Sequence, residues 1–206
     1  MSEESVASSQ KIEESKAEDA RLVERAKKGD VASFERLFEK YEKRIYNLVY
    51  RMIGDREIAS DLTQDTFVRA YNSLDSVKTG DYFLPWLWRV ATNICRDYAR
   101  KRKRRPTVSL DSQIVDEEGG HMERQIVDTS SDPADLTERE DLVARVQRAI
   151  SQLDEDRRIV VLLHHIEGAD VQEIAEVLGI PAGTVKSRLA RGRNDLREML
   201  GDTVWP

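Results

Sequence analysis

A single cysteine, Cys95, among 206 residues excludes an intramolecular disulfide and any site built from several thiolates. Prolines number five and glycines ten, so little interrupts long helices. No apolar run approaches the ~20 residues that a helix needs to cross a bilayer. The opening MSEESVASSQKIEESKAEDA has neither a basic start nor an apolar stretch, so it does not read as a signal peptide. The three histidines, His121, His164 and His165, come without a Ser/His/Asp set, a metal-ligand spacing or a Gly-rich phosphate loop. The sequence therefore predicts no enzyme, no catalytic residue, no metal and no cofactor, and the expectation is a soluble cytoplasmic protein.

Acidic residues outnumber basic ones, for a net charge of −6, but the total hides an uneven spread. Residues 1–20 hold six acids against two bases, and residues 106–135 hold eight against one. Residues 81–105 hold eight bases against two acids, and residues 182–200 hold five against two. Two positive islands separated by an acidic strip fit a nucleic-acid binder better than the total does.

With 39% hydrophobic and 35% charged residues, the composition suits small helical domains with much exposed surface. Residues 1–18 are polar and aperiodic and are expected to be disordered. A helical pattern begins at Asp19 and stops at Gly29. Phe34, Leu37, Phe38, Tyr41, Ile45, Leu48, Val49 and Met52 then recur at spacings of three and four, which predicts an amphipathic helix ending at Gly54. Asp55 is placed to cap a helix over roughly 56–74, with Ile58, Leu62, Thr66 and Ala70 inward. Pro85 suits the first turn of a helix running to about Arg104. Residues 106–135 lose all periodicity and read as an acidic linker. Leu142, Val146, Ile150 and Leu153 mark another helix face, and DEDRRIVVLLHHIEG reads as a short buried helix ended by Gly168. The predicted fold is all-α, with a first helical domain over 19–105 and a second over 136–206 joined by the linker.

DVQEIAEVLGIPAGTVKSRLARGRNDLREML has the form of two helices joined by a tight Gly-containing turn, the helix-turn-helix pattern. Asp170 and Glu173 are spaced as a capping box. In the second helix Val185, Leu189, Leu196 and Leu200 form one stripe, with Ser187, Ala190, Arg191 and Asn194 opposite and Lys186 beside them. A solvated basic helix has the same composition. The turn, the one-sided stripe and the clustered cations together favour DNA, where Arg grips guanine and Lys or Ser holds phosphate.

In the first domain Leu84, Leu87, Ala91, Ile94 and Tyr98 predict an inner face, whereas Trp86, Arg89, Thr92, Asn93 and Arg96 project from the other side. An aromatic, an amide and cations on one face suit base stacking and backbone contact. Arg100 to Arg105 are consecutive bases that extend this helix. Trp88 and Cys95 are expected in the core, although a thiol redox role for Cys95 stays open. Asp61, Gln64, Asp65 and Val68 share a face that either docks a protein helix or is simply solvated.

These segments resemble a known family. DLTQDTFVRAY is similar to conserved region 2.2 of bacterial RNA polymerase sigma factors of the extracytoplasmic-function (ECF) group. FLPWLWRVATNICRDYARKRKR is similar to their regions 2.3 and 2.4, and DVQEIAEVLGIPAGTVKSRLARGRNDLR to region 4.2. The resemblance covers about 19–105 and 136–200. It implies that Asp61, Gln64, Asp65 and Val68 bind core RNA polymerase at the β′ clamp helices, with the β flap as a second contact. It implies that the loop Val77–Phe83, with Thr79, Asp81, Tyr82 and Phe83, captures a flipped base of the −10 element. Asn93 and Arg96 would line the melted strand, Trp86 and Arg89 would add to the −10 contact, and Arg100 to Arg105 would hold duplex phosphates. Thr184, Lys186, Ser187, Arg188 and Arg191 would read the −35 element, and the linker would thread the polymerase cleft. It further implies an anti-sigma factor as partner, often membrane-linked, for a protein that is otherwise cytoplasmic and bound to the nucleoid when active. The chain departs from the family at Pro181, where relatives carry a cap such as Ser, and at Ala190, where a bulky residue is common. The competing reading is a stand-alone helix-turn-helix transcription regulator.

Overall fold

The computed structural model describes residues 3–77, 83–104 and 133–201, with side chains described over 14–77, 83–104 and 141–201. Among these residues the secondary structure is helical. In chain order the helices are α1 (Glu3–Lys27), α2 (Val31–Ile53), α3 (Arg56–Asn72), α4 (Phe83–Arg104), α5 (Pro133–Gln152), α6 (Glu155–Val161), α7 (Val171–Leu178) and α8 (Ala182–Leu200). A single 3₁₀ turn, Leu74–Ser76, follows α3.

The first four helices form one bundle. Asp30 caps α2 by accepting from the Ser33 amide and hydroxyl. Gly54, with φ +83°, ends it in the left-handed conformation that glycine tolerates. Asp55 caps α3 through the Ile58 amide at 3.0 Å. The expected α2 stripe is inside, with Leu37, Ile45 and Val49 fully buried. Tyr41 is buried with its hydroxyl donating to Asp19, and Lys40 reaches the same carboxylate at 2.5 Å. Burial followed by the hydrogen bond and charge of Asp19 raises the Tyr41 phenol pKa above its ordinary value.

Helix α1 starts at Glu3, inside the segment 1–18 that reads as disordered. That segment has no apolar stripe, but Glu, Lys, Ala and Gln are strong helix formers and neither Gly nor Pro interrupts them. Helix α4 opens at Phe83 and ends at Arg104, which sets Pro85 in its first turn as expected.

The second group of helices is α5 to α8. Leu142 is 41% exposed, contrary to the expected inner face, and burial in α5 begins at its C-terminal half with Ala149 and Ile150. The segment after α6 widens into a π-helical turn at Leu162–Ile166 before Gly168, so it is not one regular helix. The His164 ring nitrogen Nδ1 lies 2.9 Å from the Ala169 carbonyl oxygen across the turn that follows. The linker reading concerns residues 106–135, of which 106–132 lie outside the described residues; α5 begins at Pro133, three residues before the expected boundary.

The two groups touch. Arg44 on α2 donates from Nε to Glu167 Oε2 at 2.5 Å and from Nη2 to the Glu167 carbonyl at 2.6 Å. Arg158 on α6 donates to the Met52 carbonyl at 2.5 Å, and Arg51 to the Gln147 side chain at 3.1 Å.

Candidate nucleic-acid interface

The helix-turn-helix is built by local rules. Asp170 accepts from the Gln172 and Glu173 amides, and Glu173 reaches back to the Asp170 amide at 2.9 Å, completing the capping box. Gly179 turns the chain at φ +64°. Pro181 serves as N-cap of α8 with no side-chain hydrogen bond, its carbonyl accepting from the Thr184 amide at 2.8 Å.

Helix α8 buries Val185, Leu189, Leu196 and Leu200 as the spacing predicts. Gly192 joins that stripe, and the sequence pattern missed it. A Cβ there would lie 2.8 Å from Val161 Cγ2, so only glycine lets α8 approach α6 this closely. Lys186, Ser187, Ala190, Arg191 and Asn194 are exposed. Ser187 donates its hydroxyl to the half-buried Thr184 carbonyl at 2.9 Å. Arg188 is half-buried and ion-paired with Asp156 at 2.5 Å, so it is not part of the free face.

Helix α4 carries the other candidate surface. Asn93 is exposed and Arg100 is exposed beside Asp97 at 3.3 Å. Trp86 is half-buried, its ring 5.8 Å from that of Phe83. Two expectations fail here. Phe83 is fully buried, packed against Tyr41 and Trp86, so its ring belongs to the core and does not meet a base. Thr92 is likewise fully buried, its hydroxyl donating to the Arg89 carbonyl at 3.2 Å. Trp88 and Cys95 are core residues as expected, and burial pushes the Cys95 thiol up to about 12. Thr79, Asp81, Tyr82 and Arg105 lie outside the described residues. The described residues on either side of 78–82 are both anchored. Val77 is buried and its carbonyl accepts from Lys27 at 2.6 Å, and Phe83 is anchored in the core.

Arg89 and Arg96 are engaged by the second group of helices. Arg89 donates to the Glu176 and Val177 carbonyls at the end of α7, and Arg96 lies 3.8 Å from Asp156. Nothing in the local sequence pattern announced these contacts, which join positions more than 50 residues apart.

On α3, Asp61, Gln64 and Asp65 are exposed and Val68 is 61% exposed, while Leu62, Thr63, Thr66 and Phe67 on the other side are buried. The α3 face is therefore a free surface carrying two carboxylates, an amide and an apolar side chain.

Family models match both parts of the chain: Sigma-70 region 2 over residues 37–105 and Sigma-70 region 4 over residues 144–196. The chain is 39% identical to the ECF RNA polymerase sigma factor SigW of Bacillus subtilis over 180 residues, 87% of this chain and 95% of that one. It is 36% identical to the ECF RNA polymerase sigma-E factor of Escherichia coli over 187 residues, 90% of this chain and 93% of that one. Among solved structures, CnrH in complex with the cytosolic domain of CnrY aligns with a TM-score of 0.63 at 26% identity, covering 89% of this chain and 97% of that chain.

Proposed function

The chain belongs to the extracytoplasmic-function group of bacterial RNA polymerase sigma factors, and from that premise we propose how its surfaces divide the work of initiation. As a sigma factor it binds core RNA polymerase, recognises the −10 and −35 promoter elements and promotes melting. The α3 face of Asp61, Gln64, Asp65 and Val68 grips the β′ clamp helices. Its carboxylates attract a basic partner and Val68 adds apolar area at the centre, the mixture that protein interfaces use. The second group of helices adds the contact to the β flap.

Lys186, Ser187 and Arg191 meet the −35 element in the major groove, with Arg188 joining once released from Asp156 and Thr184 near the helix start. Asn93, Trp86, Arg89 and Arg96 line the melted −10 strand, and Arg100 holds duplex phosphates. The loop between Val77 and Phe83, including Thr79, Asp81 and Tyr82, takes the flipped base, and the buried Phe83 ring is its foundation. The domain division into 19–105 and 136–206 belongs to the same reading.

The observation that carries this assignment is α8. Its buried side is a complete apolar stripe and its exposed side gathers Lys186, Ser187 and Arg191 on a capped helix-turn-helix. A stand-alone regulator would need this helix but not the bare α3 face, so that alternative is not favoured.

Control by an anti-sigma factor is part of the proposal, because a sigma factor of the same fold, RpoE of Bartonella quintana, forms a complex with the anti-sigma factor NepR. No described helix is long and apolar enough to cross a membrane. We assign the protein to the cytoplasm, at the nucleoid when active and at the inner membrane when an anchored inhibitor retains it. In vitro transcription with purified core polymerase on genomic fragments tests the function. Dependent start sites, lost in Asp61→Lys/Asp65→Lys and in Arg191→Ala, are expected; transcription that ignores the added protein overturns it.

A further inference from the structure

Two consecutive residues of α6 take opposite partners on α8. Asp156 accepts from Arg188 at 2.5 Å, and Arg157 donates from Nη1 to Asp195 at 2.5 Å. Arg188 and Asp195 are seven residues apart, so two helical turns return them to one side of α8. Gly192 lies between them. A Cβ at Gly192 would meet not only Val161 but Arg157 itself, 3.6 Å from its Cβ and 3.8 Å from its carbonyl oxygen. Three points therefore fix α8 on α6: one close approach, and one ion pair to either side of it along the helix.

The order of the charges specifies the register. If α8 slipped four residues one way, Thr184 and Arg191 would stand where Arg188 and Asp195 stand now; four residues the other way would bring Gly192 and Met199. Neither set offers a base to Asp156 and an acid to Arg157. Asp195 is otherwise a costly residue. Aspartate is a poor helix former, and its charge opposes phosphate on a segment, 182–200, that holds five bases against two acids. What it gains in return is Arg157.

Only one of the two pairs can persist on DNA. Arg188 leaves Asp156 when it turns to the −35 element, whereas Arg157 and Asp195 have no promoter contact to make. We infer that Arg157 and Asp195 are positioning residues for −35 recognition, their ion pair keeping α8 in register on α6 while Arg188 exchanges Asp156 for DNA. The inference rests on the −35 assignment of α8 above. Both side chains of the pair are part-exposed, so it adds little to stability. Its effect is on placement. Lys186, Ser187 and Arg191 ride on one rigid helix, so a shift of α8 displaces all three from the base edges together. Contacts of this kind tolerate only about 0.5 Å of error.

Charge alone makes a different forecast for the two partners. Asp195→Ala removes a negative charge near DNA and by charge alone strengthens binding to every sequence, while Arg157→Ala weakens it. Loss of position has the same consequence in both: the correct element is distinguished less well from a wrong one.

The test uses holoenzyme assembled from core polymerase and the full chain. It measures transcript yield from a promoter found with the genomic fragments, divided by the yield from that promoter with its −35 element scrambled. Asp195→Ala and Arg157→Ala should each lower this ratio about tenfold, the worth of roughly one bidentate base contact. Their melting temperatures should stay close to that of the wild type. Arg157→Glu/Asp195→Arg, which reverses the pair, should restore the ratio to within about twofold of the wild type. Glu198→Ala, which removes an equal charge from an exposed site on α8, should leave it unchanged. Single variants that discriminate as well as the wild type overturn the positioning role, and so does a reversed pair as poor as either single variant. A fall in Glu198→Ala would assign the effect to net charge. A ratio that recovers when the assay is cooled would assign it to stability; either result refutes the inference. A wild type that transcribes both promoters equally refutes the −35 reading of α8 itself.

Discussion

Arg44 and Glu167, 123 positions apart, meet through a 2.5 Å side-chain contact and a second bond to the Glu167 carbonyl, with the Glu167 side chain only 3% exposed. The Arg44 guanidinium also lies 5.3 Å from the Trp88 ring. The pair fastens α2 to the turn before α7.

Removing Arg44 leaves a carboxylate buried without its cation, whereas Glu167→Gln leaves an acceptor for the same donor. Arg44→Ala is expected to lower stability by about 1–2 kcal/mol, discounted because Arg44 itself is partly exposed. In a chain of this size that is a melting-temperature drop of roughly 2–8 °C. Glu167→Gln should cost about half as much. Thermal melts followed at 222 nm decide it, and equal melts for both variants would show that the pair carries no weight.

Gly192 is a position where a better helix former makes a worse protein. Alanine gains about 1 kcal/mol of intrinsic helix propensity. Its Cβ, however, would sit 2.8 Å from Val161, a stiff, fully buried side chain with Arg157 beside it. Overpacking of this kind costs about 1–3 kcal/mol, so Gly192→Ala should lower the melting temperature and Gly192→Leu should lower it further. A rise on Gly192→Ala would mean that α8 shifts outward freely.

Asp170 holds the start of α7 through two amides and the reciprocal Glu173 bond. Asp170→Ala should cost about 1 kcal/mol. Because α7 seats α8, loss of −35 binding should accompany the lower melting point, while −10 recognition on fork-shaped DNA stays intact. Footprints on both DNAs read this directly.

Cys95 should be chemically silent. With its thiol pushed up to about 12 by burial, the nucleophilic thiolate is scarce at neutral pH. Iodoacetamide at pH 7.5 should leave the folded protein unmodified within an hour and label it completely in urea, as mass spectrometry will show. Rapid labelling of the native protein would reopen a redox role.

The helices were largely legible because their signals are short-range. Asp55 and Asp170 cap as their spacing requires, Gly54 and Gly179 stop where expected, and the α2 and α8 stripes are inside. The exposed Asp61, Gln64, Asp65, Asn93, Lys186 and Arg191 were found by projecting those same helices. What failed depends on tertiary packing. Phe83 was read as the end of a base-capturing loop and Thr92 as part of the outer face of α4, and both are fully buried. The α1 extension has no hydrophobic period to read. Gly192 is visible only against Val161, and Asp156 only beside Arg96 and Arg188, which lie 60 residues upstream and 32 downstream.

Gly192 sets how closely α8 lies on α6, and with it the angle at which Lys186, Ser187 and Arg191 leave the bundle. One missing methyl group thus aims a whole face, and a chain that filled the gap would have to carve back Val161 to keep the same bearing.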